Sequence, residues 1–341
     1  NTSCASPPFQ HARADIILRS SDGIDFRVFT LFLNLASSFF HSIIEQVAQS
    51  DQIEGDLPIV PVEENHRVLD IWLRVRFCYP STLAEDPPLN DFENIIPVLK
   101  AARKYSLKPL EHKVRQALIS RMEKEPLRCF ALAMRTQLDT EAVLAAKYTL
   151  RQSLIPARVP EIDLITAKEL LALLTYHQRC GISVQSLGRN LSWITGHYIM
   201  NESYQWIIGG SCSCESSSQF LLSGQRPLKW WSEYMEKSLT SLSDKPSGHT
   251  VLVGIDDAVR GVRTTGCSRC CSNILVNMTE FAGLFSMKVD TLTAKVDLDM
   301  ELLNSFIPAA LTPPQSPVVR PATSGGKGGR EKGGGGGGGG G

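Results

Sequence analysis

The sequence predicts an α+β fold: a hairpin-based domain of short strands capped by helices, then a helical region, then a cysteine-bearing C-terminal module. Three observations point there. Residues 15–29 alternate apolar and other side chains at period two around an Asp-Gly turn. Between Thr30 and Ile194 the apolar residues recur mostly at helical spacing. Five of the nine cysteines crowd into two short motifs after residue 210. These divide the chain into a flexible N-terminus (1–13), a hairpin domain (14–125), a helical extension (126–200), a cysteine-bearing module (201–305) and a Pro/Gly-rich tail (306–341) too poor in apolar surface to offset the entropy of ordering it.

Composition bounds the function. With 341 residues and 43% apolar content, the chain is long enough for two domains, each with its own core. Its 35 basic and 35 acidic residues cancel, which removes the electrostatic reason to bind nucleic acid or anionic lipid over a wide surface. No apolar run reaches the roughly 18 residues of a membrane span. Residues 1–14 hold no apolar signal core, because Pro7, Pro8, His11 and Arg13 interrupt it.

In the hairpin, Ile16 and Leu18 face Ile24, Phe26 and Val28, and Asp22-Gly23 suits a two-residue primed turn. Phe32, Leu35, Ala36, Phe39 and Ile43 then fall on one face of a helix covering the hairpin. Leu57 to Val62 reads as a strand whose prolines suggest a sheet edge. Asn65 caps a helix with the stripe Val68, Leu69, Trp72, Val75, Arg76 and Tyr79, which Pro80 stops. A further helix carries Ile95, Val98, Leu99, Ala102 and Tyr105, with Pro97 in its first turn; Leu110, Val114, Ala117, Leu118 and Met122 follow Pro109.

The ordered blocks ADIILRSSDGIDF, LASSFF, LPIVPVEEN, LRVRFCYP and VLKAARKYSLKPLE over residues 14–125 resemble the BTB/POZ domain, most of all its divergent form in mushroom-type fungi. The resemblance implies a protein-interaction module that commonly homodimerises and, in many members, recruits a cullin ubiquitin-ligase scaffold or a transcriptional co-regulator. It also implies that Asp15 and the helix starting near Thr30 lie at the interaction surface. In transcription-factor relatives the residue matching Asp15 pairs with a basic residue after the second strand. Here that block reads Phe26-Arg27-Val28-Phe29-Thr30, without the usual His and cation. A buried carboxylate without a cation is costly, so either Asp15 is wetter here or that interface differs.

Two helical stretches follow, Leu127 to Leu150 and Thr166 to Ile194. The second opens with a capping box, Thr166 to Glu169, and carries His177 and Cys180 one turn apart on its apolar face, where they read either as core residues or as metal ligands. Ser211-Cys212-Ser213-Cys214 is a C-x-C pair, and Cys267-Ser268-Arg269-Cys270 is a C-x-x-C pair beside Cys271. Four thiolates from two loops make the all-sulfur tetrahedron of a structural Zn²⁺. Cys212, Cys214, Cys267 and Cys270 are therefore first-choice ligands of one zinc, with His177 and Cys180 as substitutes. Free thiols and a redox disulfide are the alternatives. Between the pairs runs a helix bearing Trp231, Tyr234, Met235 and Leu242, and residues 281–303 carry Phe285, Val289, Leu292, Val296, Met300 and Leu303 at near-heptad spacing.

No catalytic constellation stands out: there is no G-x-S-x-G elbow, H-E-x-x-H helix or phosphate loop. A nucleophile at Cys180 is disfavoured, since an apolar face raises a thiol's pKa. The expectation is a non-enzymatic protein-interaction module, cytoplasmic or nuclear, with no catalytic residues. It self-associates as a homodimer through the first domain and captures a partner through the C-terminal half. The alternatives are a substrate adaptor of a cullin-based ubiquitin ligase and a transcriptional regulator.

Overall fold

The computed structural model describes residues 3–48, 53–54, 57–74, 89, 91–153, 159–198, 205–209 and 212–299. Its sheet is mixed, in the order β1-β3-β2-β5-β4. Strands β2 (Ile16–Arg19) and β3 (Ile24–Val28) pair antiparallel, with Ile16 opposite Val28 and Leu18 opposite Phe26. All four are buried, as the period-two pattern predicts. The turn differs from the expected two-residue form. Ser20 N–H donates to the Ile24 carbonyl and Gly23 N–H to the Ser20 carbonyl, both at 2.9 Å, so the loop has three residues. Gly23 alone takes a positive φ, +82°, whereas a primed turn needs one at Asp22 too. Asp22 instead reaches the next helix, where its carboxylate accepts the His66 amide (2.9 Å) and also meets the His66 ring. With the Ser20 hydroxyl, these bonds hold its pKa down at about 2.

Residues 3–13 are not a flexible lead-in. β1 (Ser3–Cys4) pairs parallel with β3, Phe9 is fully buried against Phe26, and Arg74 lies over the Phe9 ring. The helix expected after the hairpin is two helices, α1 (Thr30–Ala36) and α2 (Ser38–Ala48). The chain becomes extended at Ser37 (φ −153°, ψ 125°), which shifts the helical phase. Leu33 and Phe40 take the buried positions, and Leu35 is 75% exposed instead of facing the hairpin.

β4 (Ile53–Glu54) and β5 (Leu57–Pro61) complete the sheet. β5 is not an edge. It pairs parallel with β2 through Ile59 and Val60, and its proline-bearing start meets the two residues of β4. α3 (His66–Arg74) is capped as expected, Val68 N–H donating to Asn65 Oδ1 at 3.0 Å, and buries Val68, Leu69 and Trp72. The rest of its expected stripe, Val75, Arg76 and Tyr79, lies outside the described residues, as do Cys78 and residues 300–341.

α4 (Phe92–Lys104) starts early enough that Pro97 sits in its second turn, not its first. Pro97 is exposed, so the Glu93 carbonyl left without an amide partner can meet water. α5 (Lys108–Ile119), α6 (Pro126–Arg135) and α7 (Asp139–Thr149) stack behind it. Arginines lock this stack. Arg115 binds Glu141 across α5 and α7, and Arg128 binds Glu161 at 2.7 Å while lying over the Phe92 ring. Glu161 belongs to a short 3-10 turn, Pro160–Leu164.

α8 (Ala167–Arg189) carries the expected capping box, complete in both directions, and α9 (Ser192–Tyr198) continues after it. On α8, Leu173, His177, Cys180, Val184 and Leu187 are buried, Leu170 is half-buried and Leu174 is exposed. Beyond it come α10 (Gln205–Ile208), α11 (Lys229–Asp244), α12 (Gly248–Val253), α13 (Ile255–Thr264), α14 (Ser268–Cys271) and α15 (Ile274–Thr293). α15 begins seven residues before the expected 281 and ends before Val296. Its buried face is Met278, Phe281, Phe285 and Val289, with no sustained heptad.

Two hydrophobic clusters share this compact unit. One gathers residues from Ala5 to Cys180 together with Leu298; the other runs from Val184 to Val289. They part inside α8, between Cys180 and Val184, so one helix serves both. No helix among the described residues is long and apolar enough to cross a membrane.

Candidate functional site

The thiol group stands where two segments meet against the second cluster. The first segment enters through α10 and turns at Gly209, whose carbonyl accepts the Cys212 amide at 2.8 Å. Gly209 has φ +83°, and a Cβ there would fall 2.6 Å from Leu228 Cδ2 and 3.1 Å from Cys212 Sγ. Only glycine leaves room for the sulfur at that turn. After Cys214 the chain makes a tight hairpin. Glu215 pairs with Lys229 and Ser217 with Pro227, and the tip closes by two bonds between Leu222 and Gln225. Ser223 and Gly224 both have positive φ, the pattern of a two-residue primed turn. Phe220, Leu222, Pro227 and Leu228 are the hairpin's buried residues.

The second segment descends from α13 through a left-handed Gly266 to Cys267, the residue preceding α14. The sulfurs of Cys212, Cys214, Cys267 and Cys270 all lie within 4.8 Å of one another. Cys270, 9% exposed, is the hub, at 3.6 Å from both Cys212 Sγ and Cys214 Sγ. A tetrahedral zinc with Zn–S bonds of about 2.3 Å separates its sulfurs by about 3.8 Å, so the spacing suits one cation. All four are free thiols, not disulfides.

Electrostatics divide the four. Backbone amides of Cys270 and Arg269, with the Cys214 thiol, stabilise the Cys267 thiolate and bring its pKa down to about 7. Burial and neighbouring thiols push Cys270 well above the ordinary thiol range, and burial raises Cys214. Four sulfurs this close cannot all ionise without a cation among them, which a divalent metal supplies. The cluster can hold a metal ion. Cys271 stays outside it, donating to the Val262 carbonyl at 3.7 Å.

His177 and Cys180 are not brought to this group. Cys180 belongs to the first cluster, where burial pushes its pKa up to about 11; His177 faces the backbone of Thr149 and Gln152, and burial lowers its pKa. They are core side chains at the junction of α7 and α8.

The structure places Asp15 and Thr30 together at the other candidate surface. Asp15 is exposed, and its carboxylate accepts both the Thr30 amide and the Thr30 hydroxyl at 2.7 Å. The charge missing from the expected basic partner is replaced by the first N–H of α1 and the positive end of its dipole. Leu31 and Leu35, one turn apart on α1, are 61% and 75% exposed.

Sequence reasoning missed Gly209, the hairpin and the buried Asp25, which forms a two-point ion pair with Arg19 directly across the β2–β3 ladder. Ser-Gly beside apolar Leu221 and Leu222 was the readable signal for the hairpin; Gly209 has none, since its neighbours are decided by folding.

Residues 8–122 match the BTB/POZ domain family model. The matched span begins before the expected Ala14 and includes the buried Phe9. The BTB/POZ domain is a protein–protein interaction module. No curated protein matches the chain.

Proposed function

We propose that this chain is a non-enzymatic interaction protein that self-associates through α1 of its BTB/POZ domain and captures a protein partner through its C-terminal half. One observation carries the reading: Leu31 and Leu35 stand exposed on a helix anchored at its first residue by Asp15. Each costs hydration free energy when left in water, and a second copy covering the same face removes it. Light scattering on the full chain tests this. The expected result is a dimer, which Leu31→Asp/Leu35→Asp converts to a monomer with unchanged helical content. A monomeric parent chain overturns it.

The four thiols are proposed to hold one structural Zn²⁺. The all-sulfur donor set and the 3.6 Å spacing support zinc, and reduced thiols suit a cytoplasmic or nuclear setting. Metal content of the purified reduced chain checks it: one zinc per chain is expected, and none, or iron in its place, rejects it. The domain blocks fit the divergent fungal form best. A second reading is a substrate adaptor of a cullin-based ligase, favoured by the helices α6 and α7, which pack directly on α4 and α5 and share their core. Copurification with a cullin distinguishes it from a scaffold.

A further inference from the structure

We infer that the metal at the four thiols is a local switch: it seats the hairpin 215–229 and the α13–α14 corner of the C-terminal half, while the BTB/POZ half and its self-association stand without it. This rests on the zinc reading above and adds what the metal controls.

Beyond the packing of Phe220, Leu222 and Leu228 on one side, and of Val259 and Val262 on the other, against the second cluster, little holds those two segments to each other. The hairpin has a few backbone pairs around one primed turn, and a lone two-stranded hairpin is marginal in water. α10 and α14 have four residues each, far below the length at which a helix persists alone. Their sequence separation is large, Cys214 to Cys267, so closing that loop costs entropy that local structure does not return. Where they meet, the contact is the sulfur group: Cys270 touches Cys212 and Cys214 across the gap. With no cation, four thiols offer only weak S–H hydrogen bonds. With the cation, four metal–sulfur bonds tie the segments directly, and the free energy of metal binding becomes free energy of local folding.

The effect of the metal is contained. All four thiols pack against the second cluster, and the first cluster contains none of them. The first cluster has its own sheet, its own aromatic stack of Phe40, Trp72 and Tyr105, and the Arg115–Glu141 and Arg128–Glu161 pairs. α11 and α15, with 16 and 20 residues, remain packed through Trp231 and Phe281. Loss of metal therefore unfastens the hairpin and the α13–α14 corner and goes no further. A partner that reads the C-terminal half then sees two states of one surface, set by metal supply, on a scaffold that stays assembled.

Amide hydrogen exchange on the full reduced chain, with and without a zinc chelator, tests this, with native mass spectrometry on the same samples. The expected result is about tenfold or greater loss of protection in peptides spanning 205–228 and 259–272, with protection in 16–119 and the oligomeric state unchanged. Adding Zn²⁺ restores protection, and Cys267→Ser reproduces the chelated pattern without chelator. Zinc bound and removed with no change in exchange overturns the switch and leaves the zinc site standing. Loss of protection throughout the chain, or dissociation of the assembly, overturns the containment. A chain that never binds zinc removes the site and the switch together.

Discussion

The two hydrophobic clusters solve the same problem with different materials. The first closes a five-stranded sheet with helices and pins its helical stack with arginine–carboxylate pairs, Arg115 to Glu141 and Arg128 to Glu161. The second has no sheet among the described residues beyond isolated bridges. It holds four of the five tryptophans, three of them against Phe281 and the fourth, Trp230, stacked on Trp206, and four thiols at one corner. Regular backbone pairing specifies the first region. In the second, large rings on α9, α10, α11 and α15 bury area, and the irregular segments between the helices meet at the sulfur group. A region of the second kind tolerates irregular backbone, which is where an adjustable binding surface can be carried.

The sharpest way to break this comparison is to open one core and watch the other. Phe281→Ala and Phe40→Ala each remove a fully buried ring, and each is expected to cost about 3–5 kcal/mol. Hydrogen exchange is expected to report the loss in residues 184–292 for the first variant and in 16–119 for the second. A uniform loss in both would show that α8 couples the clusters into one cooperative unit.

A smaller effect is expected at the arginine clasp. Glu161→Gln leaves Arg128 facing a neutral amide and costs about 2 kcal/mol, measured by denaturant unfolding at pH 7. Arg128 holds the Glu161 pKa below the usual carboxylate value of 4.5, so its contribution is present above that pH and is lost as pH falls through the lowered value. The difference between parent and variant should vanish in acid; a difference that persists there would mean packing, not charge.

The smallest effect is at Asp22, which is partly exposed and has a pKa held at about 2 against an ordinary 3.8. Asp22→Asn is expected to weaken the hairpin–α3 contact above about pH 4, with the two proteins converging as pH falls toward 2. A carboxyl titration by NMR that finds Asp22 at its ordinary value would remove the Asp22–His66 bond from the account.

Most of the first domain was legible because its signals are local. Period two at 16–28 and the Asn65 cap, like the capping box at Thr166 and Glu169 in the helical extension, need only neighbours in sequence. The misread positions are those decided by distant partners. Leu35 is exposed because one extended residue, Ser37, rotates the helix. β5 is internal because two residues of β4 pair with its proline-bearing start. Phe9 is buried because β1 finds an open edge on β3. At the candidate site, the four cysteines could be nominated by motif, while their meeting could not, since a gap of more than 50 residues carries no register.

By itself, then, the sequence determined the helices, the hairpin strands, the BTB/POZ blocks and the chemistry available to the cysteines, because propensity, period and side-chain type act over a few residues. Tertiary structure alone decided that Asp15 satisfies a helix end in place of a cation, that His177 and Cys180 stay in the core, and that Cys212, Cys214, Cys267 and Cys270 converge. Those outcomes depend on which surfaces bury one another, a balance summed over the whole chain that no local stretch contains.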